Sequence, residues 1–171
     1  MPLQAGDLLL FRGTDLVSRA IEIGTGKRYS HAALYCPIIV GDKVERHCVI
    51  EAIHTGVRLY PLKRYLHECD RLGTQVDWFK RTDKIDGERM VSWASSQLGR
   101  SYVRLWELAV NFLFRADVSE NHRWFCSELV AEAANKSLEF PIPEPEKISP
   151  GDLANMPQLF EYQEQLKGDD L

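Results

Sequence analysis

The chain has 171 residues, 44% of them apolar, and 21 basic against 25 acidic side chains give a formal net charge of −4. This length and composition fit one globular domain, residues 1–171, with a sizeable core. The balanced charge argues against a nucleic-acid partner, and no apolar run approaches the length of a transmembrane helix.

The first residues, MPLQAGDLLLFRG, lack the basic region and long apolar core of a signal peptide. Their composition predicts a cytoplasmic location, with delivery by another route still open. The four cysteines form no CxxC pair, and neither they nor the histidines match a common zinc spacing. We therefore expect reduced thiols, no metal and no cofactor.

Short apolar runs bounded by turn residues predict strands, and apolar residues at helical spacing predict helices. In chain order, the predicted strands lie at 7–11, 30–36, 47–53 and 75–80, with a polar turn at Gly41-Asp42 and a strand that becomes a short helix over 56–66. The predicted helices lie at 14–26, about 86–98, 103–114 and from Cys126 onward. Strands early and helices late indicate an α+β fold. Its core spans about 5–155, the proline-rich segment 140–153 forms a surface wrap, and 156–171 is a C-terminal tail.

The stretch HRWFCSELVAEAANKS, residues 122–137, places a cysteine where a helix is expected to begin. Behind Cys126, apolar residues such as Leu129, Val130 and Ala133 recur at helical spacing, so one side of the helix packs on a core. The peptide N–H groups at a helix N-terminus stabilise an anion, and therefore a thiolate. A lone cysteine is more often a small buried apolar residue, so this pattern alone leaves both interpretations open.

Two further polar residues lie on apolar strands. His31 lies in YSHAALY and Glu51 lies in CVIEAI. A carboxylate buried in an apolar strand needs a partner, and an imidazole suits it because the carboxylate fixes the ring's tautomer. If the two strands are antiparallel neighbours, His31 and Glu51 lie side by side and His31 can take the proton of Cys126. The alternatives are a histidine satisfied within the core and a Glu51 that pairs with an arginine.

Five short motifs together resemble the NlpC-type papain-like cysteine amidases: GDLLLF, SHAALY, VIEA, QLGRSY and FCSELV. In that superfamily the LG-x-x-Y segment and the cysteine helix usually come first, whereas here the GDL strand, the histidine and the acid precede them. This order is circularly permuted and is similar to that of the YiiX/YaeF-like bacterial amidases. The resemblance implies a papain-like α+β fold, with an antiparallel sheet packed against helices.

The resemblance also implies roles for individual residues. Cys126 matches the nucleophile, His31 the base and Glu51 the third catalytic member. Tyr102, in QLGRSY, matches a tyrosine that lines the substrate site, although it could equally be a packing aromatic. The implied activity is hydrolysis of an amide bond in a peptide or peptide-like substrate, cell-wall fragments among them, through a thioester.

The segment VRLWELAVNFLFRA, residues 103–116, is apolar nearly all round. It predicts either a buried helix or, over residues 103–123, an apolar wall of the substrate cleft. The second interpretation leaves a lipid-like acyl substrate open, because lecithin retinol acyltransferase-like proteins use a similar permuted arrangement. A non-catalytic binding module on the same fold is the remaining alternative. The sequence does not indicate an oligomeric state.

Overall fold

The computed structural model describes residues 3–14, 22, 25–101 and 125–170. Its centre is one antiparallel sheet of six strands in the order β4-β3-β2-β1-β5-β6. The strands are β1 (Leu8–Arg12), β2 (His31–Val40), β3 (Lys43–Ile53), β4 (Gly56–Pro61), β5 (Gln75–Arg81) and β6 (Phe160–Leu166). The helices are α1 (Leu62–Leu72), α2 (Gly87–Ser95), α3 (Cys126–Asn135) and α4 (Pro150–Ala154). This is an α+β fold, as expected from the sequence.

Helices cover both faces of the sheet, because the inner strands alternate apolar residues onto each side. On one face, Leu62 and Leu66 of α1 pack with Leu9, Ala33 and Val49. The opposite face carries the larger core, in which α2 and α3 contribute fully buried residues such as Met90 and Leu129. Burial of each such side chain contributes about 1.5–3 kcal/mol, which fixes α3 and its first residue firmly against the sheet.

Several elements differ from the sequence prediction. Strands β2 and β3 extend to the turn at Gly41-Asp42, because their outer residues pair although they are exposed. Part of the predicted surface wrap is the short helix α4, whose Pro150, Gly151 and Leu153 are buried. The expected C-terminal tail contains β6, which pairs with β5. The predicted helices at 14–26 and 103–114 fall largely or wholly outside the described residues.

The register of β2 and β3 decides which polar residues meet. Leu34 pairs with Ile50, so Glu51 lies level with Ala33, and His31 is the next residue on that face of β2. The two strands are antiparallel neighbours, which is the condition under which the sequence places His31 and Glu51 side by side. Glu51 in turn lies directly opposite Arg58 of β4.

The segment that follows α2 lies along the free edge of β4. Val57 donates its N–H to the Arg100 carbonyl at 2.9 Å and accepts from the Gly99 N–H at 2.9 Å. The approach is close enough that only glycine fits at position 56, where φ is +116° and a Cβ would lie 2.7 Å from the Arg100 oxygen. Within the described ranges, no helix has the length and apolar character to cross a bilayer.

Candidate active site

Cys126 is the first residue of helix α3, as the sequence predicted. The start of this helix is held by its own polar residues. Glu128 is buried and accepts a hydrogen bond from the Phe125 N–H at 3.2 Å. The hydroxyl of Ser127 donates to the Ile148 carbonyl at 2.5 Å. These contacts stabilise the first turn and fix the direction of the neighbouring thiol.

The thiol of Cys126 is hydrogen-bonded to the imidazole of His31 and to the backbone N–H groups of Ala32 and Ser127. Burial by itself would raise the pKa of this thiol. The positive charge of the His31 ring, followed by these hydrogen bonds, lowers the Cys126 pKa below its ordinary value. The site therefore favours a thiolate.

His31 joins the thiol to a carboxylate. Its Nε2 atom lies 2.6 Å from Oε2 of Glu51, which leaves Nδ1 as the ring nitrogen for the thiol. Burial would lower the His31 pKa, but the negative charges of Cys126 and Glu51 outweigh it and raise the pKa above its ordinary range. Thiolate and imidazolium thus stabilise each other, and the pair matches an activated nucleophile with its base.

The carboxylate of Glu51 is fully buried and carries hydrogen bonds on both oxygens. Oε1 accepts from Nε and Nη2 of Arg58 at 2.8 and 2.7 Å. Oε2 accepts from the Tyr65 hydroxyl at 2.8 Å in addition to His31. Burial raises the Glu51 pKa, but His31 and Arg58 together lower it to about 2. Glu51 is therefore ionised. The sequence left open whether its partner is a histidine or an arginine, and in the structure it binds one of each simultaneously.

The other three cysteines lie in different surroundings. Cys36 and Cys48 are buried opposite each other in β2 and β3, and Cys69 is buried in α1. Burial raises the pKa of Cys36 to about 11 and of Cys69 to about 12, and it also raises that of Cys48. Of the four thiols, Cys126 is the one whose pKa is lowered.

The structure thus brings together three of the four residues singled out from the sequence: Cys126, His31 and Glu51. Tyr102 lies outside the described residues, although the chain leading to it follows β4 as far as Arg100. Sequence reasoning missed Arg58 and Tyr65. Arg58 had a detectable signal, because it lies across a tight hairpin from Glu51 and a buried acid needs a cation. Tyr65 had none, since it reaches the site from a helix packed on the sheet.

The described residues also bear on metal coordination. Across 3–14, 22, 25–101 and 125–170, no group of three or more His, Cys, Asp or Glu side chains is arranged to hold an ion. The nitrogen and oxygen atoms of the His31–Glu51 pair that face each other are occupied by that hydrogen bond.

Residues 2–167 match the model of a family described as a permuted papain-like amidase enzyme, YaeF/YiiX, C92 family. The chain belongs to this family. The match covers nearly the whole sequence and confirms the permuted, YiiX/YaeF-like resemblance seen in the five motifs. No curated protein matches the chain significantly.

A solved structure has the same fold. It is described as the crystal structure of metalloprotein yiiX from Escherichia coli O157:H7, and it aligns with a TM-score of 0.61 at 19% identity. The alignment covers 92% of this chain and 82% of the other. The papain-like permuted fold expected from the sequence is therefore shown for this member of the family.

Proposed function

We propose that this chain hydrolyses an amide bond, with Cys126 as nucleophile, His31 as general base and acid, and Glu51 as the group that orients His31. The observation that carries the proposal is the continuous hydrogen-bonded path from thiol to imidazole to carboxylate. It lies at a helix N-terminus in a chain of the permuted amidase family. A buried carboxylate, an imidazole and a thiol in this order form a nucleophile, a base and an orienting group.

The reaction would start from the thiolate form of Cys126. The sulfur attacks the amide carbonyl carbon, and negative charge develops on the carbonyl oxygen. The backbone N–H of Cys126, at the positive end of α3, is the donor we assign to that oxygen. His31 then protonates the leaving nitrogen, the C–N bond breaks, and a thioester remains on Cys126.

Water completes the cycle. His31, now neutral, removes a proton from a water molecule that attacks the thioester carbon, and the acid product leaves as the C–S bond breaks. Glu51 keeps Nδ1 directed at the sulfur and stabilises the imidazolium each time it forms. Arg58 and Tyr65 hold that carboxylate in place, so the base does not rotate away during turnover.

For the substrate we propose a peptide or peptide-like amide, with cell-wall-derived fragments among the candidates. The amidase family supports this class. The test is turnover by the full chain of a panel of acyl amino acids, dipeptides, muropeptides and fatty-acyl esters. Cys126→Ala and His31→Ala are the informative variants, and Cys48→Ala is the matched control because it removes a buried thiol outside the site.

The outcomes separate the alternatives. Amide cleavage that is lost in Cys126→Ala and retained in Cys48→Ala supports the proposal. Turnover of fatty-acyl esters alone would instead favour a lipid acyltransferase or thioesterase. A folded wild type that turns over no substrate and forms no covalent adduct would favour a binding module.

A further inference from the structure

A groove of about 220 Å³ lies between helix α1 and the strand ends that carry His31. Its wall is mainly apolar and aromatic, and the imidazole of His31 forms part of it. The residues that define this His31 groove are Phe11, His31, Ile53, Tyr65, Cys69 and Leu72. The Phe11 ring stacks on Tyr65 with centroids 4.8 Å apart and tilts against His31 at 5.3 Å. The wall next to the imidazole is therefore preformed.

Three polar side chains along the same wall already have hydrogen-bond partners. The Tyr65 hydroxyl donates to Glu51, and the Ser30 hydroxyl donates to the Phe11 carbonyl at 3.3 Å. Glu68, at the rim, accepts from Tyr60 at 2.9 Å and from an arginine of its own helix. An apolar group that enters the groove displaces water without separating a charged pair, whereas a cation would compete with Arg64 for Glu68.

The position of the groove relates it to the leaving amine and not to the acyl group. Among the described residues, His31 lines the groove and Cys126 does not. The acyl group is bonded to the sulfur after the first step, whereas the leaving nitrogen takes its proton from the imidazole. The departing group therefore leaves next to a side chain that forms part of the groove wall.

We propose that the His31 groove binds the apolar portion of the amine leaving group, so that the enzyme prefers amides whose amine product carries an aliphatic or aromatic side chain. This inference rests on the proposed function and adds the chemical class of the amine half of the substrate. The same site binds an incoming amine in the reverse direction. The amine nitrogen attacks the thioester, the C–N bond forms, the C–S bond breaks, and His31 accepts the proton of the amine.

The reverse step gives a test that requires no knowledge of the natural acyl group. The enzyme is acetylated by p-nitrophenyl acetate, and the acetyl-enzyme partitions between water and an added amine. Benzylamine and ethanolamine are compared at equal free-base concentrations, and N-acetylbenzylamine and N-acetylethanolamine are quantified. The measured quantity is the ratio of benzylamine capture to ethanolamine capture, because a change of overall reactivity cancels in it.

We expect wild type to favour benzylamine. Leu72→Gln should lower the capture ratio by about three- to fivefold, the effect of losing part of one apolar side chain from the wall. Leu72 is 64% exposed, so a neutral polar replacement at the end of α1 is compatible with folding. Leu72→Trp, which narrows the groove, should lower the ratio as well. Val40→Gln, an equally exposed position at the distant β2–β3 turn, should leave it unchanged.

The results decide two questions separately. An acetyl-enzyme that shows no preference for benzylamine, or a ratio unaffected by both Leu72 variants, overturns the groove assignment and leaves the proposed function standing. Amide formation that continues unchanged in Cys126→Ala overturns the proposed function itself, and the groove assignment with it.

Discussion

Replacing Glu51 by glutamine exposes the role of the carboxylate, because the two side chains have nearly the same shape. Arg58 can only donate hydrogen bonds, and it contacts Oε1 with two nitrogens. The single amide oxygen of the introduced glutamine must therefore face Arg58. The amide nitrogen then faces Nε2 of His31 and donates to it, so the ring proton moves to Nδ1, on the side of the thiol. In that tautomer the imidazole cannot accept the proton of Cys126.

The expected loss of activity follows from this change in the His31 tautomer. We expect Glu51→Gln to lower kcat by about 10²- to 10⁴-fold, the range over which a positioned general base acts. The fold should survive, with a loss of about 1–3 kcal/mol for the charged hydrogen bonds to Arg58. Cys126→Ala should lose more activity, because an orienting group can be replaced in part by water and a nucleophile cannot.

The assay measures kcat on the best amide of the substrate panel, together with the ¹⁵N chemical shifts of the His31 ring, which report its tautomer. Glu132→Gln is the matched control. Glu132 also accepts a hydrogen bond from a cation, Lys136, but it does not line the groove beside His31. A folded Glu51→Gln enzyme with wild-type kcat would contradict the assigned role of Glu51, as would an equal loss in Glu132→Gln.

Three further results are expected. His31→Ala should slow iodoacetamide labelling of Cys126 at neutral pH by about ten- to fiftyfold, because the thiolate loses its cation; preferential labelling of another cysteine in wild type would contradict this. Tyr65→Phe should lower kcat by about two- to fivefold, because Glu51 loses one of its hydrogen bonds. It should also move the alkaline limb of the pH profile to higher pH, since more negative charge then faces the imidazole. Tyr60→Phe, which removes a hydrogen bond to Glu68 instead, should leave kcat and the pH profile unchanged. Finally, the Glu51 pKa is lowered from 4.5 to about 2, so its stabilising contribution is complete above about pH 4.5 and is lost as pH falls toward 2. Urea unfolding across this range should show a steeper loss in wild type than in Glu51→Gln.

Sequence patterns predicted the strands and helices whose buried residues recur at the regular spacing of a strand or a helix. The strand of His31 and the helix of Cys126 are both lined by apolar residues at the correct spacing, and both form as expected. His31 and Glu51 stood out because each interrupts an apolar strand, and antiparallel pairing then brought them together. The amidase family was recognisable from the order of the motifs.

Other parts carry no such signal. Strand β6 has exposed residues from Glu161 to Gln165, and therefore lacks the apolar alternation that marks a half-buried strand. Tyr65 reaches Glu51 only because α1 packs across the sheet, a tertiary contact that no local spacing encodes. The cleft wall expected over 103–123, and the role of Tyr102 beside it, lie outside the described residues and stay predictions.

The central claim is that Cys126 is a thiolate beside a protonated His31 at neutral pH. The ultraviolet absorbance of the thiolate, measured against pH in wild type and Cys126→Ala, tests it most directly. If Cys126 is a thiolate at neutral pH, the difference absorbance is already present there and disappears only on acidification well below the ordinary thiol pKa of 9.0. A difference that first appears as the pH rises through 9.0 or beyond would contradict it.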